Sequence, residues 1–212
     1  MITIHAFEHT QQPQLAIYDQ IPMVVDVRSE YKLEKIQAGL GGIRLVETPV
    51  DPYLKDLGQY AKMTELAQQF DLSHWGFWLA YDAQTPVGGA AVLCKSPQIQ
   101  MLAGREDLGV LWDIRVADSH QGQGVGQLLF AEVKIWCQAR GLKQLKIECQ
   151  NNNIAACKFY HKQGAVLGEI NSYAYYLDPD CAHETQLIWY LDLTNGLEKA
   201  PLDRNAGPGL RG

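Results

Sequence analysis

The strongest local signal for chemistry is the run Gln121-Gly122-Gln123-Gly124-Val125-Gly126. Glycines let the backbone turn sharply and let its N–H groups approach a ligand with no Cβ in the way. Val125, Leu128, Leu129, Val133 and Trp136 follow at helical spacing. A helix that begins here presents unpaired donors and a partial positive charge, so the run predicts a pyrophosphate site. A tight helix start without a ligand is the plainer alternative. Gly126-Gln127-Leu128 lacks the Gly-Lys-Ser/Thr ending of a P-loop. A dinucleotide fingerprint fails at Gln127 when begun at Gly122, and at Leu129 when begun at Gly124. Glu148 does lie at about the spacing of a ribose-binding acid, but the dinucleotide fold opens with its glycine turn, and here a long stretch of mixed α/β pattern comes first.

The elements that must position this turn read as mixed α/β. Leu108, Val110, Trp112, Ile114 and Val116 alternate with Asp113 and Arg115, which predicts a strand with the apolar set on one face. Gly141 closes the helix after the turn. Leu145–Cys149 is a second strand, and Asn153–Gln163 a second helix, with Asn at its start and Gly164 past its end. Strand, turn, helix, strand and helix make a βαβα unit, so its two strands should be parallel neighbours. Upstream, Ile2–Phe7, Gly41–Thr48, Gly76–Tyr81 and Val87–Cys94 read as strands, the last two joined in a hairpin by a turn at Asp82–Pro86. Pro13–Ile21 and Glu30–Gly39 read as helices, and Ala165–Glu169 and Gln186–Leu193 as closing strands.

The chain of 212 residues suits one domain, expected over residues 1–193. Residues 194–212, rich in Gly, Pro and charge, read as a disordered or loosely docked tail. A net charge of -6 argues against nucleic-acid binding. No apolar run reaches the roughly 20 residues of a membrane span, and the N-terminus lacks signal-peptide features, so a cytoplasmic location without membrane contact is expected. The five cysteines form no CxxC pair or zinc-spaced cluster and read as buried free thiols; no metal site is expected.

The phosphate-turn pattern of the GNAT superfamily of N-acetyltransferases is Gln/Arg-x-x-Gly-x-Gly/Ala, which Gln121–Gly126 matches in full. A second family pattern follows on the next helix: Asn153-x-x-Ala156-x-x-Phe159-Tyr160-x-x-x-Gly164. The chain therefore resembles that superfamily, and most of Tyr31–Leu193 resembles its streptothricin acetyltransferase branch. Segments 111–116, 148–153 and 156–160 and the stretch ending Leu187-Ile188-Trp189-Tyr190 carry that finer likeness. The resemblance implies a mixed, mostly antiparallel sheet flanked by helices. It implies acetyl-CoA as co-substrate, held by the amides of Gln121, Gly122, Gln123, Gly124, Val125 and Gly126. It lays the pantetheine arm along Ile114, Arg115 and Val116, where the parallel strands splay apart, and gives Asn153 a cofactor hydrogen bond beside its ordinary role as a helix cap. Homodimers are common in the family.

Acetyl transfer from such a thioester needs a neutral amine, a proton acceptor and a donor for the oxyanion, a donor role the family gives to backbone near Ile114. The family places Tyr160 near the sulfur, so Tyr160 is the candidate acid for the departing thiolate. Asp113 and Glu148 are the candidate bases; each is also a potential structural partner of Arg115 or Lys146. Trp75, Trp78 and the run Tyr173-Ala174-Tyr175-Tyr176 offer an aromatic wall for an ammonium group, unless they are core residues. The leading expectation is transfer to a primary amine of a small cationic molecule. Acetylation of a protein lysine or N-terminal amine, and a non-catalytic acyl-CoA sensor, are the competing readings.

Overall fold

The computed structural model describes residues 1–59 and 62–194. A seven-stranded sheet runs through it, built from β1 (Ile2–Phe7), β4 (Trp75–Asp82), β5 (Thr85–Leu93), β6 (Leu108–Val116), β7 (Gln144–Gln150), β8 (Val166–Asn171) and β9 (Gln186–Asp192). The spatial order is β1-β4-β5-β6-β7-β9-β8, and only β6 and β7 pair in parallel. Helices α1 (Gln12–Asp19) and α2 (Met63–Gln69) pack on one face, and α3 (Val125–Ala139) and α4 (Ile154–Lys162) on the other. The sheet is thus mixed and mostly antiparallel, as the family resemblance implies. Of the tail expected at 194–212, residues 195–212 lie outside the described residues.

The βαβα unit forms where the sequence places it. Val125, Leu129, Phe130, Val133 and Cys137 give α3 its buried stripe. Both helices end in the same hydrogen-bonded closure on a left-handed glycine. Gly141 (φ 68°) lets Leu142 N–H reach Cys137 C=O, and Gly164 (φ 92°) lets Ala165 N–H reach Tyr160 C=O. The second closure fixes the last turn of α4, which carries Tyr160.

Two sequence expectations fail. Residues 30–39 are not a helix: β2 (Val24–Ile36) pairs with β3 (Gly42–Asp56) in a separate two-stranded ribbon, and a short 3-10 turn at Gln37–Gly39 lies between the two strands. Cross-strand pairs such as Leu33↔Leu45 and Tyr31↔Glu47 outweigh the helix preference of its Glu and Lys residues. The faces of β6 also differ from a simple alternation. The register with β5 shifts between Ala91↔Asp113 and Val92↔Leu111, which marks a bulge. Leu108, Val110 and Trp112 pack on the α1/α2 side, whereas Leu111, Ile114 and Val116 pack on the α3/α4 side. Asp113 and Arg115 are therefore buried, at 7% and 4% exposure, rather than on an open polar face.

Candidate active site

Strands β6 and β7 pair only from Leu108↔Gln144 to Leu111↔Ile147. Beyond that point β6 keeps β5 as far as Gly88↔Val116, and β7 keeps β9 as far as Gln150↔Gln186. The facing edges of Trp112–Val116 and Glu148–Gln150 therefore part, and no strand pairs with them there among the described residues. A cavity of about 370 Å³ opens at this gap. It gathers Asp113 and Arg115 from β6, Glu148 from β7, and Asn153 and Tyr160 from α4.

Asp113 is taken up by Arg115. Arg115 Nε donates to both Asp113 carboxylate oxygens at 3.2 and 3.0 Å, and Nη2 also contacts the carboxylate. The guanidinium reaches Ile21 C=O at 3.2 Å and lies 4.9 Å over the Tyr18 ring. Burial opposes the Arg115 charge, but the Asp113 carboxylate more than offsets it and raises the arginine above its usual value. Lys146 pairs with Glu169, not Glu148. Glu148 instead accepts a hydrogen bond from Tyr175 Oη at 2.7 Å.

Tyr160 lines the cavity at 6% exposure. Burial, and then the Cys149 thiol beside it, push its hydroxyl well above the usual tyrosine range, so it remains a proton donor. Its ring packs against Phe130 and Phe159. Asn153 Oδ1 accepts from Ala156 N–H at 3.1 Å, a helix cap, while the residue also borders the cavity.

The glycine turn leads straight out of β6. Gly122 (φ 73°) and Gly124 (φ 86°) are left-handed, and a Cβ built on either meets nothing within 4 Å. The space over the turn is thus open. Gln121 Nε2 donates to Val116 C=O at 3.3 Å and to Asp118 Oδ1 at 3.0 Å, and Gln123 Nε2 to Ser119 C=O at 2.8 Å. Both glutamine side chains bond toward the preceding segment. Gly124 is the N-cap of α3, and no side chain caps the helix's first amides.

Sequence reasoning missed part of the cavity wall. Lys55, Met23 and Leu57 come from or adjoin the ribbon, and Asp178, Cys181 and Glu184 come, together with the expected Tyr175, from residues 172–185 between β8 and β9. Glu184 is 4% exposed, pairs with Lys55 and accepts from Asn152 Nδ2 at 2.9 Å. The polar run Gln150–Asn153 was the one available signal. Its Asn151 bonds Tyr31 on the ribbon and Thr185 on the β8–β9 connection, tying both to the end of β7. The aromatic residues divide. Trp75 and Trp78 are core residues, packed on Phe77 and Trp136 respectively. Tyr175 lines the cavity, and Tyr173 and Tyr176 are exposed. Among the described residues no group of three or more His, Cys, Asp or Glu side chains could hold a metal ion.

The acetyltransferase (GNAT) family model matches residues 44–165, more than half of the chain and all of the βαβα unit. The chain belongs to the GNAT family. Among curated GNAT relatives it is similar to the streptothricin acetyltransferase of Escherichia coli, at 35% identity over 98 residues, 43% of this chain and 56% of the relative. It is 29% identical to streptothricin acetyltransferase A of Bacillus subtilis over 93 residues, 44% of this chain and 53% of that one. The chain thus spans about half the length of the curated relatives it matches. Nourseothricin acetyltransferase shares its fold with a TM-score of 0.71 at 20% identity, covering 91% of this chain and 98% of the other. A Bacillus anthracis chain assigned as a streptothricin acetyltransferase, solved in complex with acetyl coenzyme A, gives a TM-score of 0.69 at 22% identity, over 91% and 97%. At these identities the structural likeness establishes the GNAT fold. No helix among the described residues is long and apolar enough to cross a membrane.

Proposed function

We propose that this GNAT protein transfers the acetyl group of acetyl coenzyme A to a primary amine of a small cationic acceptor of the streptothricin type, in the cytoplasm. The reading is carried by the cavity at the strand splay, where Glu148, Tyr160 and the unpartnered edge of β6 meet. The residues present fit the coenzyme. The open space over Gly122 and Gly124 suits a diphosphate on the amides of Gln121–Gly126. The free edge at Ile114–Val116 suits an extended, amide-bearing arm, with Asn153 beside it. When bound, acetyl coenzyme A supplies an activated acetyl thioester.

The chain's own groups then have separate tasks. A lysine-type amine, with a pKa of roughly 10.4, is protonated at neutral pH. Glu148 takes that proton, directly or through water. Tyr160 holds a proton on Oη for the sulfur that leaves. Asp113 is committed to Arg115, and we assign it to fixing the cavity wall rather than to proton transfer.

Charge supports a cationic acceptor. Asp113, Glu148, Asp178 and Glu184 line the cavity against Lys55 and Arg115. Both cations are paired, Lys55 with Glu184 and Arg115 with Asp113. Glu148 and Asp178 are left without a cation partner among the described residues, so the cavity attracts positive charge. The names of the curated relatives point to the same acceptor class. A thiol-release assay over streptothricin, polyamines, aminoglycosides and lysine peptides tests the reading. We expect fastest release with streptothricin. Release with peptides alone would favour a protein acetyltransferase, and coenzyme binding without release from any acceptor would favour a sensor.

A further inference from the structure

The connection between β8 and β9, residues 172–185, roofs the cavity and contributes Tyr175, Asp178, Cys181 and Glu184 to its wall. We propose that Tyr175 is a positioning residue. Its hydroxyl holds the Glu148 carboxylate in the orientation from which that group takes the acceptor's proton. This inference rests on the functional reading above.

The geometry is specific. Tyr175 Oη donates to Glu148 Oε1 at 2.7 Å, the short range typical of a hydroxyl on a carboxylate. Gln150 Nε2 donates to the same Oη at 3.4 Å. The amide thus occupies the acceptor side of the phenol and leaves its proton for Glu148. Glu148 Oε2 makes no hydrogen bond among the described residues, so one oxygen is tethered and the other is left for a substrate. No cation pairs with Glu148 there either, which makes the phenol its principal constraint. Burial, and then the Glu148 charge, hold the proton on Tyr175, consistent with a donor that does not itself exchange protons with the acceptor.

The roof does not depend on this bond. Glu184 is held by Lys55 and Asn152, and Thr185 N–H donates to Asn151 Oδ1 at 2.8 Å. Asn151 N–H in turn donates to Thr185 C=O at 2.9 Å. Tyr175→Phe keeps the ring and these anchors and removes only the hydroxyl, so it isolates the tether.

The test is a double-variant cycle on the full chain, with the fastest acceptor of the panel above. We measure kcat, the acceptor KM, and acetyl-CoA affinity by calorimetry. Tyr175→Phe should lower kcat about tenfold, the scale of one hydrogen bond to a charged group. Its acetyl-CoA affinity should stay within about twofold of wild type. Glu148→Gln should lower kcat by about a hundredfold or more. The double variant should match Glu148→Gln, because a tether has nothing to act on once its carboxylate is gone. A Glu148→Gln protein at the wild-type rate would instead remove the base from the functional reading. Wild-type kcat in Tyr175→Phe beside a slow Glu148→Gln overturns the positioning role alone. So does a double variant that falls by the product of the two single effects. An acetyl-CoA affinity that drops in step with kcat in Tyr175→Phe also overturns it, by moving the ring to the coenzyme's side.

Discussion

Asp113→Asn should unfold far more easily than wild type, and the size of the loss follows from the burial of one ion pair. The Asp113 and Arg115 side chains are 6% and 2% exposed. The Arg115 guanidinium meets Asp113 through Nε and Nη2, meets Ile21 C=O through Nη1, and otherwise lies over the Tyr18 ring. With a neutral amide at 113 the cation stays buried and keeps an amide oxygen, the Ile21 carbonyl and the Tyr18 ring, but no counter-charge. Removing one partner of a buried pair costs about 3–5 kcal/mol, whereas an exposed pair contributes about 0–1 kcal/mol. In a chain of this size each kcal/mol moves the melting temperature by about 2–4 °C, so the expected fall is about 10 °C. Urea titrations of wild type and variant at one temperature supply the free-energy difference directly. The paired change Asp113→Leu with Arg115→Met should recover most of the loss, because an apolar pair of similar volume removes the stranded charge. A loss below about 1 kcal/mol for Asp113→Asn would refute the reasoning. It would mean that water reaches the guanidinium and that the bulge in β6 does not turn this pair inward.

Tyr160→Phe should lower kcat by about a hundredfold and leave acetyl-CoA affinity nearly unchanged, read by steady-state kinetics and calorimetry. An unchanged kcat would remove the phenol from the chemistry. Gly124→Ala should cost about 1–2 kcal/mol of stability, because φ is 86° there, and should weaken acetyl-CoA binding. Gly126→Ala should instead be neutral or stabilise by up to about 1 kcal/mol, since its Cβ meets Val116 and Phe159 at ordinary distances of 3.7 and 3.8 Å. Thermal unfolding compares the two. Thiol labelling of the native protein should be slow at pH 8. Cys94, Cys137, Cys149 and Cys157 are buried, and burial pushes the Cys137 thiol up to about 12. Partial burial, and then Asp178, push the half-buried Cys181 up to about 11. Its labelling rate should therefore rise about tenfold per pH unit toward that value, because only the thiolate reacts.

The half of the fold that was legible is the half whose signals are local. Glycines at 122, 124, 141 and 164 all adopt the left-handed conformations that their positions demand, and Asn153 caps the helix it begins. Asn153, Tyr160 and Glu148 reach the cavity from elements that local signals placed correctly. What was not legible depends on distant partners. Helix α2 has Lys62 at its start and no local cap; its first amides are capped from α1 by Asp19, which accepts from Met63 N–H at 2.6 Å and from Thr64 N–H at 3.0 Å. Residues 30–36 are rich in Glu and Lys and become a strand only because β3 is there to pair. The bulge at Trp112 leaves no mark in the alternation of β6, so Asp113 and Arg115 read as an open polar face when they are buried. The roof at 172–185 has no period at all. It is tied down by contacts from Asn151, Asn152, Glu148, Gln150 and Lys55, none of them near it in sequence.

The account stands on coenzyme binding at the splay, with the diphosphate on the amides of 121–126. Calorimetric titration of the purified protein with acetyl coenzyme A measures this most directly. The account predicts saturable heat with one molecule bound per chain, weakened when Gly124 is replaced by alanine. A flat titration for the wild type, or equal binding by wild type and Gly124→Ala, would contradict it.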